Sequence, residues 1–302
     1  MFLSFIRPIY LIAHRILLAT RGINPLFIRR WGGFPVGEGH IGDEHLADPH
    51  LDDQLEATFT QMGVSVYPWD IDPDGYAAWL QRAPYPDGYY GGGLDPAANF
   101  TEKSLEHYVS TAFIPAGPDV TLIDIAACNS PFADIMRNQY GCKKVYQQDL
   151  IYPKGIHGDR IGGWGHELYL PGNSVDGVTL HCSLEHFEGN SDTLFFQEIS
   201  RVLKPGGRVV ILPFYLAHTY TIHVDPAYNL LKRHTPQLDP EARLRYAGWR
   251  QFFSRHYDPA ALYRRVLAAA PSLRLTLYRV RNFREIYPGS YLRWIGVFEK
   301  QA

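Results

Sequence analysis

Residues 167–216, ELYLPGNSVDGVTLHCSLEHFEGNSDTLFFQEISRVLKPGGRVVILPFYL, decide the fold. Gly177–Cys182, GVTLHC, is a short strand candidate. An acidic loop follows, then a stretch with helical spacing, Leu194–Leu203, closed by Gly206-Gly207. Arg208–Tyr215 is an apolar run. Loop, strand, loop, helix, turn, strand is the unit from which parallel sheets are built, with right-handed crossovers.

Working outward, the same alternation extends in both directions. VTLIDIAA at 120–127 reads as a buried strand ending in small residues. Ser130-Pro131 is a helix-opening pair, FADIMRNQY a helix, and Gly141 its left-handed terminator. KKVYQQDL at 143–150 is the next strand, followed by a poorly defined third. DPAALYRRVLAAA at 258–270 reads as a helix, and LRLTLYRV and SYLRWIGVFEK as two late strands. Upstream, Leu105, Tyr108, Val109, Ala112 and Phe113 keep helical spacing, and Asn99 with Glu102 reads as a capping box. The expected fold is α/β: a doubly wound, mostly parallel seven-stranded sheet of Rossmann-like type with an N-terminal helical and loop extension. The expected domains are an extension over 1–99 and an α/β domain over 100–302.

Composition bounds the function. Hydrophobic residues make up 46% of the chain, enough for a core, so disorder is not the default. A net charge of −2 gives nucleic acid no global electrostatic help. Cys128, Cys142 and Cys182 share no metal-like spacing and no pairing pattern, which points to a reduced, cytoplasmic setting. MFLSFIRPIYLIAHRILLATRG lacks the ~20 uninterrupted apolar residues of a spanning helix. Arg7, His14 and Arg21 fall in line on a helical wheel, so residues 1–22 read either as an interfacial helix making peripheral membrane contact or as a helix packed on protein, including a homo-oligomer interface. PYPDGYYGGGLDP at 84–96 reads as a turn-dense flap or an ordinary surface loop.

The run L-P…S-x-D…L-E-H-F…R-V-L-K-P-G-G within 170–207 resembles that of class I S-adenosylmethionine-dependent methyltransferases of the small-molecule type. The resemblance covers roughly 100–300 and implies a transferase with S-adenosyl-L-methionine as cofactor. Asp124 then matches the acidic residue that orients the first loop and reaches the methionine ammonium. Asp149 lies where a carboxylate accepts both ribose hydroxyls. The glycine-rich loop is altered: Ala126, Cys128 and Ser130 stand where the family carries glycines. Of the loop residues only Asn129 tolerates left-handed backbone readily. Trp164 falls where the family often holds the adenine amine, and reads as a stacking residue or as core. His181 and Cys182 end a strand where the methyl points.

His181 and His186 are candidate bases, with His218 and His223 further along, and Glu185 completes the L-E-H-F segment. Metal-binding relatives carry E-x-x-E-H; here Cys182 replaces the first Glu, so no metal is expected. The aromatic-rich extension and the membrane-surface reading of residues 1–22 point to O-methylation of a sugar, glycolipid or polysaccharide-precursor hydroxyl, with a secondary metabolite as alternative acceptor. Another alternative is a catalytically inactive relative acting by partner binding. A nicotinamide dehydrogenase is disfavoured because no G-x-G-x-x-G follows the first strand.

Overall fold

The computed structural model describes residues 12, 16, 36–38, 45, 48–90, 96–246 and 251–302. The helix expected over 1–22, apart from two isolated positions, and residues 91–95 of the expected flap lie outside these residues. In chain order the elements are β1 (Val36–Glu38), α1 (His50–Gln61), β2 (Ser65–Trp69), α2 (Pro73–Leu80), α3 (Pro96–Ser110), β3 (Thr121–Ile125), α4 (Phe132–Tyr140), β4 (Lys144–His157), β5 (Arg160–Gly162) and β6 (Val175–His181). After a single 3-10 turn at Leu184–His186 come α5 (Ser191–Val202), β7 (Leu203–Leu212), β8 (Thr221–Val224), α6 (Pro226–Leu231), β9 (Arg243–Tyr246) and β10 (Ser254–His256). The chain ends with α7 (Pro259–Leu262), a π-helical turn at Tyr263–Leu267, β11 (Leu273–Val280), α8 (Phe283–Ile286) and β12 (Trp294–Lys300).

The chain divides into two compact units. The larger holds Glu56–Leu184, Ser191–Tyr215 and Tyr263–Ala302. Its eight-stranded sheet runs β2-β11-β12-β7-β6-β3-β4-β5. β12 is antiparallel to both neighbours and the other pairings are parallel. Seven of these strands answer the seven expected; the eighth, β2, pairs Ser65–Trp69 with Thr276–Val280. Residues 24–100 read as loops and short helices, and Pro68 within this run argues against a central strand, because proline cannot donate to a central ladder. The edge of a sheet tolerates it, and β2 is an edge.

Helices cover both faces of this sheet. Leu105, Val109 and Phe113 join Phe132 and Met136 of α4 against Leu122, Val145, Val210 and Leu212. Alternate strand residues point the other way, and there Phe196 of α5 meets Phe298 with ring centroids 4.8 Å apart. α5 is held further by Asp192, fully buried and bonded to Arg265 at 2.9 and 2.8 Å. β3 is buried along its whole length, as a central parallel strand must be. Several boundaries differ from expectation: β4 runs on to His157 rather than stopping at 150, β7 begins at Leu203 ahead of Gly206-Gly207, and α3 begins at Pro96, so Asn99 and Glu102 lie inside the helix rather than capping it. A proline is favoured in a first turn because its missing N–H is not needed there.

The smaller unit holds the described parts of Met1–Leu55 with Glu185–Asn190 and Leu216–Leu262. Its four-stranded sheet, β1-β9-β8-β10, has no counterpart in the expected fold. The strands are three or four residues long, too short to carry a period. They also bury polar residues: His223, Arg255 and His256 are all at most 1% exposed. Arg255 is accommodated by the Phe187 and Gly189 carbonyls at 2.6 and 2.7 Å and by the Phe253 ring.

Candidate functional site

The strand order reverses between β3 and β6, and ligands of open α/β sheets bind beyond the carboxyl ends at such a point. Asp124 on β3 and His181 on β6 meet there. The Asp124 carboxylate is 1% exposed. Its Oδ1 accepts from the Thr179 hydroxyl at 2.9 Å and from His181 Nδ1 at 3.1 Å. Its Oδ2 is buried without a partner. A buried carboxylate oxygen left unbonded is costly, and it suits a cationic ligand group that completes it.

The segment after β3 follows the path of a glycine-rich loop without the glycines. Ala126, Cys128 and Asn129 have φ of 53°, 44° and 62°. Left-handed backbone had been expected only of Asn129; Ala126 and Cys128 adopt it too. Each costs roughly 1–2 kcal/mol for a residue with a Cβ, so the surroundings must enforce it. Those surroundings are visible. The Cys128 N–H donates to Asp149 Oδ2 at 2.8 Å, and the Ala126 N–H to Gln148 Oε1 at 3.3 Å. Gln148 also donates to the Gly163 carbonyl, joining this loop to the segment after β5. Asp149 Oδ1 accepts the Ile151 N–H at 3.1 Å. Each of its oxygens retains lone-pair capacity for a ligand. Ser130 opens α4 by accepting the Phe132 N–H at 3.1 Å.

Trp164, between β5 and β6, is 51% exposed and stacks on His166, with centroids 5.9 Å apart and planes at 12°. The core alternative for this residue is thereby removed. Its ring is open to a planar ligand, and Gly163 beside it has φ of 123°.

Helix α3 supplies a set of groups that the sequence reading missed. Lys103, Glu106, His107 and Ser110 stand at i, i+3, i+4 and i+7, one stripe of a helix. Lys103 Nζ bonds both Glu106 oxygens at 2.9 and 2.8 Å, and the Glu106 side chain is fully buried. His107 Nδ1 pairs with the Tyr85 hydroxyl at 2.8 Å and Nε2 with Ser130 Oγ at 3.2 Å. Burial, then His181 and Lys103, hold His107 well below the usual imidazole range. His181 Nε2 meets the Ser110 hydroxyl at 3.1 Å, and its ring stands edge-on to His107 and Phe132, both at 4.7 Å. A polar stripe opposite an apolar one ordinarily faces water, so sequence periodicity gave no sign of its burial.

Cys182 follows β6 with φ of 50°. Its Sγ lies 3.6 Å from the Tyr215 hydroxyl and 4.0 Å from that of Tyr291. Glu185 and His186 belong to the smaller unit. There His186 Nδ1 pairs with the Phe253 carbonyl at 2.7 Å, and its Nε2 lies 3.4 Å from Glu185 Oε1. In that unit too, His218 is exposed and tilted against His45, and buried His223 packs on His256 with centroids 4.6 Å apart. Among the described residues no group of three His, Cys, Asp or Glu could hold a metal ion, and no helix is long and apolar enough to cross a membrane.

Residues 108–211 match a family described as Methyltransferase domain. No curated protein matches the chain. Among solved structures, the chain is similar to the Burkholderia thailandensis 1,6-didemethyltoxoflavin-N1-methyltransferase with bound 1,6-didemethyltoxoflavin and S-adenosylhomocysteine. The two are 19% identical over 77% of this chain and 92% of that one, with a TM-score of 0.45. It is similar to the geranyl diphosphate C-methyltransferase of Streptomyces coelicolor in complex with Mg2+, geranyl diphosphate and S-adenosyl-L-homocysteine. Here identity is 13% over 76% and 97%, with a TM-score of 0.44. It is also similar to a chain of the complex between the Haloferax volcanii Trm112 methyltransferase activator and a methyltransferase, at 14% identity over 76% and 97% and a TM-score of 0.45.

Proposed function

With residues 108–211 belonging to the methyltransferase-domain family, we propose that the chain is an S-adenosylmethionine-dependent class I methyltransferase acting on an oxygen of a small acceptor. The observation that carries this is Asp124: buried at the switch point, bonded through Oδ1, with a buried Oδ2 that no protein group satisfies. A methionine ammonium has the charge and the donors that this oxygen lacks. The left-handed backbone at Ala126, Cys128 and Asn129 and the Asp149 carboxylate support the same reading, since the first follows the path of a nucleotide-binding loop and the second keeps acceptor capacity for hydroxyls. When bound, the cofactor supplies an electrophilic methyl on a sulfonium.

The chain's own groups would do the rest. Asp124 holds the ammonium; Asp149 accepts the ribose hydroxyls while anchoring Cys128; exposed Trp164 stacks on the adenine. Ala126 and Asn129 line the loop with their backbone. We assign His181 a positioning role, because Asp124 and Ser110 engage its two ring nitrogens. For the acceptor, a saccharide, glycolipid or polysaccharide precursor is the preferred class and a secondary metabolite the second.

Calorimetric titration with S-adenosylmethionine and S-adenosylhomocysteine tests the reading. Micromolar binding of both is expected, and Asp124→Asn should weaken both by about tenfold or more, the scale of a lost charge-assisted hydrogen bond. A folded sample that binds neither overturns it and leaves the partner-binding alternative.

A further inference from the structure

The carboxyl edge of the larger sheet carries hydrogen-bond donors that the cofactor residues do not use. Lys103 Nζ has three N–H groups, and its bonds to Glu106 employ two. Its side chain is only 12% exposed. Cys182, Tyr291 and Tyr90 lie within electrostatic reach of it. Burial works against the ammonium, but Cys182 and then Glu106 outweigh it and hold Lys103 well above the usual range, so it stays cationic. Burial pushes the Tyr291 and Tyr90 phenols up, so both stay protonated and able to donate. Tyr215 and Tyr291 stack with centroids 6.3 Å apart and planes at 23°, their hydroxyls converging on Cys182 Sγ.

This cluster is rich in donors; the carboxyl beside it, Glu102, takes the Tyr291 N–H on Oε1 and is raised by burial to about 7, which keeps it partly protonated. Glu106 is committed bidentately to Lys103, and both ring nitrogens of His181 are engaged. An acceptor alcohol needs a group to take its proton as the methyl arrives. An acceptor oxygen that is already ionised needs none. The S–CH3 bond breaks with its pair passing to sulfur, a lone pair of the oxyanion forms the O–CH3 bond, and no proton has to be placed. What the oxyanion needs before reaction is a cation and donors to hold it in a dry site, which is what Lys103 and the phenols provide.

We propose that Lys103, Cys182, Tyr215 and Tyr291 form the acceptor-recognising end of the site, and that the methylated atom is an anionic oxygen: a carboxylate, phenolate or enolate. This rests on the methyl-transfer reading above and narrows it. A saccharide acceptor would be a uronate methylated at its carboxylate, and a secondary metabolite an ionised phenol or enol.

The thiol of Cys182 reports on the cluster without knowledge of the natural acceptor. The full-length protein is alkylated with iodoacetate, an anion, or with neutral iodoacetamide of similar size, and labelling is mapped by mass spectrometry. Exposed Cys128 on the same chain is the reference. The rate ratio of iodoacetate to iodoacetamide is expected to be about fivefold or more higher at Cys182 than at Cys128, the scale of focusing by one partly buried cation. Lys103→Met should abolish the difference and Lys103→Arg should keep it. Equal ratios at the two cysteines, or no labelling of Cys182 by either reagent, overturn the proposal. The wild-type ratio decides this even where Lys103→Met does not fold. Protection of Cys182 from iodoacetamide by galacturonate points to the saccharide source, and protection by 4-nitrophenolate to the phenolic one. Protection by methyl glucoside alone, or by none of the three, also overturns it. S-adenosylhomocysteine titration of the same sample separates the two ideas: nucleotide binding without anion preference sinks only the acceptor inference, whereas absence of nucleotide binding sinks the methyl-transfer reading.

Discussion

Asp149 Oδ2 lies 2.8 Å from the backbone nitrogen of Cys128, a residue held at a φ of 44°. One carboxylate thus braces the conformation that a glycine would adopt freely, while keeping acceptor capacity for a ligand. Loop shape and binding are coupled through this contact.

Asp149→Ala removes acceptors from two backbone N–H groups, those of Cys128 and Ile151. We expect S-adenosylhomocysteine affinity to fall by roughly 1–3 kcal/mol and thermal stability to drop with it. Asp149→Asn keeps an acceptor for only one of them and should fall between. Calorimetry and a melting curve on each variant check this; unchanged affinity removes Asp149 from the site.

Ala126→Gly and Cys128→Gly should stabilise the protein. Each relieves about 1–2 kcal/mol of left-handed strain and gives back about 0.5–1 kcal/mol in unfolded-state freedom. The expected net gain is a few tenths to ~1 kcal/mol per site, read from urea midpoints. The matched control is Ala133→Gly inside α4, which should destabilise. Loss of stability at 126 and 128 would show that the side chains, and not the backbone, hold the loop.

Trp164→Ala should leave stability within about 0.5 kcal/mol, because the ring is 51% exposed. Nucleotide affinity should fall by roughly 1 kcal/mol if the indole stacks on adenine. The split between an unchanged melting curve and weakened binding is what a ligand-stacking residue predicts. If neither quantity changes, the adenine sits elsewhere.

Burial raises the Glu102 carboxyl to about 7, outweighing the bonds it accepts around Ser290 and Tyr291. A raised carboxyl means that the folded state binds its proton more tightly than the unfolded chain, whose value is near 4.5. The benefit is therefore present below pH 4.5 and lost as pH rises through 7, on the order of a few kcal/mol in all. Glu102→Gln keeps an oxygen for the Tyr291 N–H and removes the titration. Melting temperatures should fall between pH 5 and 8 in the wild type and stay nearly flat over that window in the variant.

Gly162→Ala should be severely destabilising, by ~2 kcal/mol or more, because a Cβ there would overlap the Pro153 and Tyr152 carbonyls of the adjoining strand. Gly158→Ala offers a contrast. Nothing lies near its would-be Cβ, and only its φ of 66° resists substitution, so its loss should be nearer 1 kcal/mol. Urea denaturation distinguishes the two.

The larger sheet was legible because its signals are local. Leu122, Ile123 and Ile125 of β3 are apolar because the strand lies between two helix layers. Gly141 ends α4 with φ of 69°, in the left-handed region that glycine favours. Asp124 could be placed near a strand end because β3 stops where its apolar period stops; Asp149 was expected to end its strand and instead lies inside β4, at the register shift toward β5.

The remainder depends on neighbours distant in sequence. Ala126 and Cys128 take left-handed backbone because Gln148 and Asp149 hold their amides, which no local preference reports. The stripe Lys103, Glu106, His107 and Ser110 has the spacing of a solvated helix face. Only the packing of α3 beside Cys182, Tyr291 and His181 turns it inward. The four short strands of the smaller unit carry buried His223, Arg255 and His256, residues whose burial is tolerable only once partners arrive from elsewhere in the chain. Apolar period and backbone punctuation are properties of the sequence itself. Whether a polar group is solvated or buried is settled by what the fold brings against it.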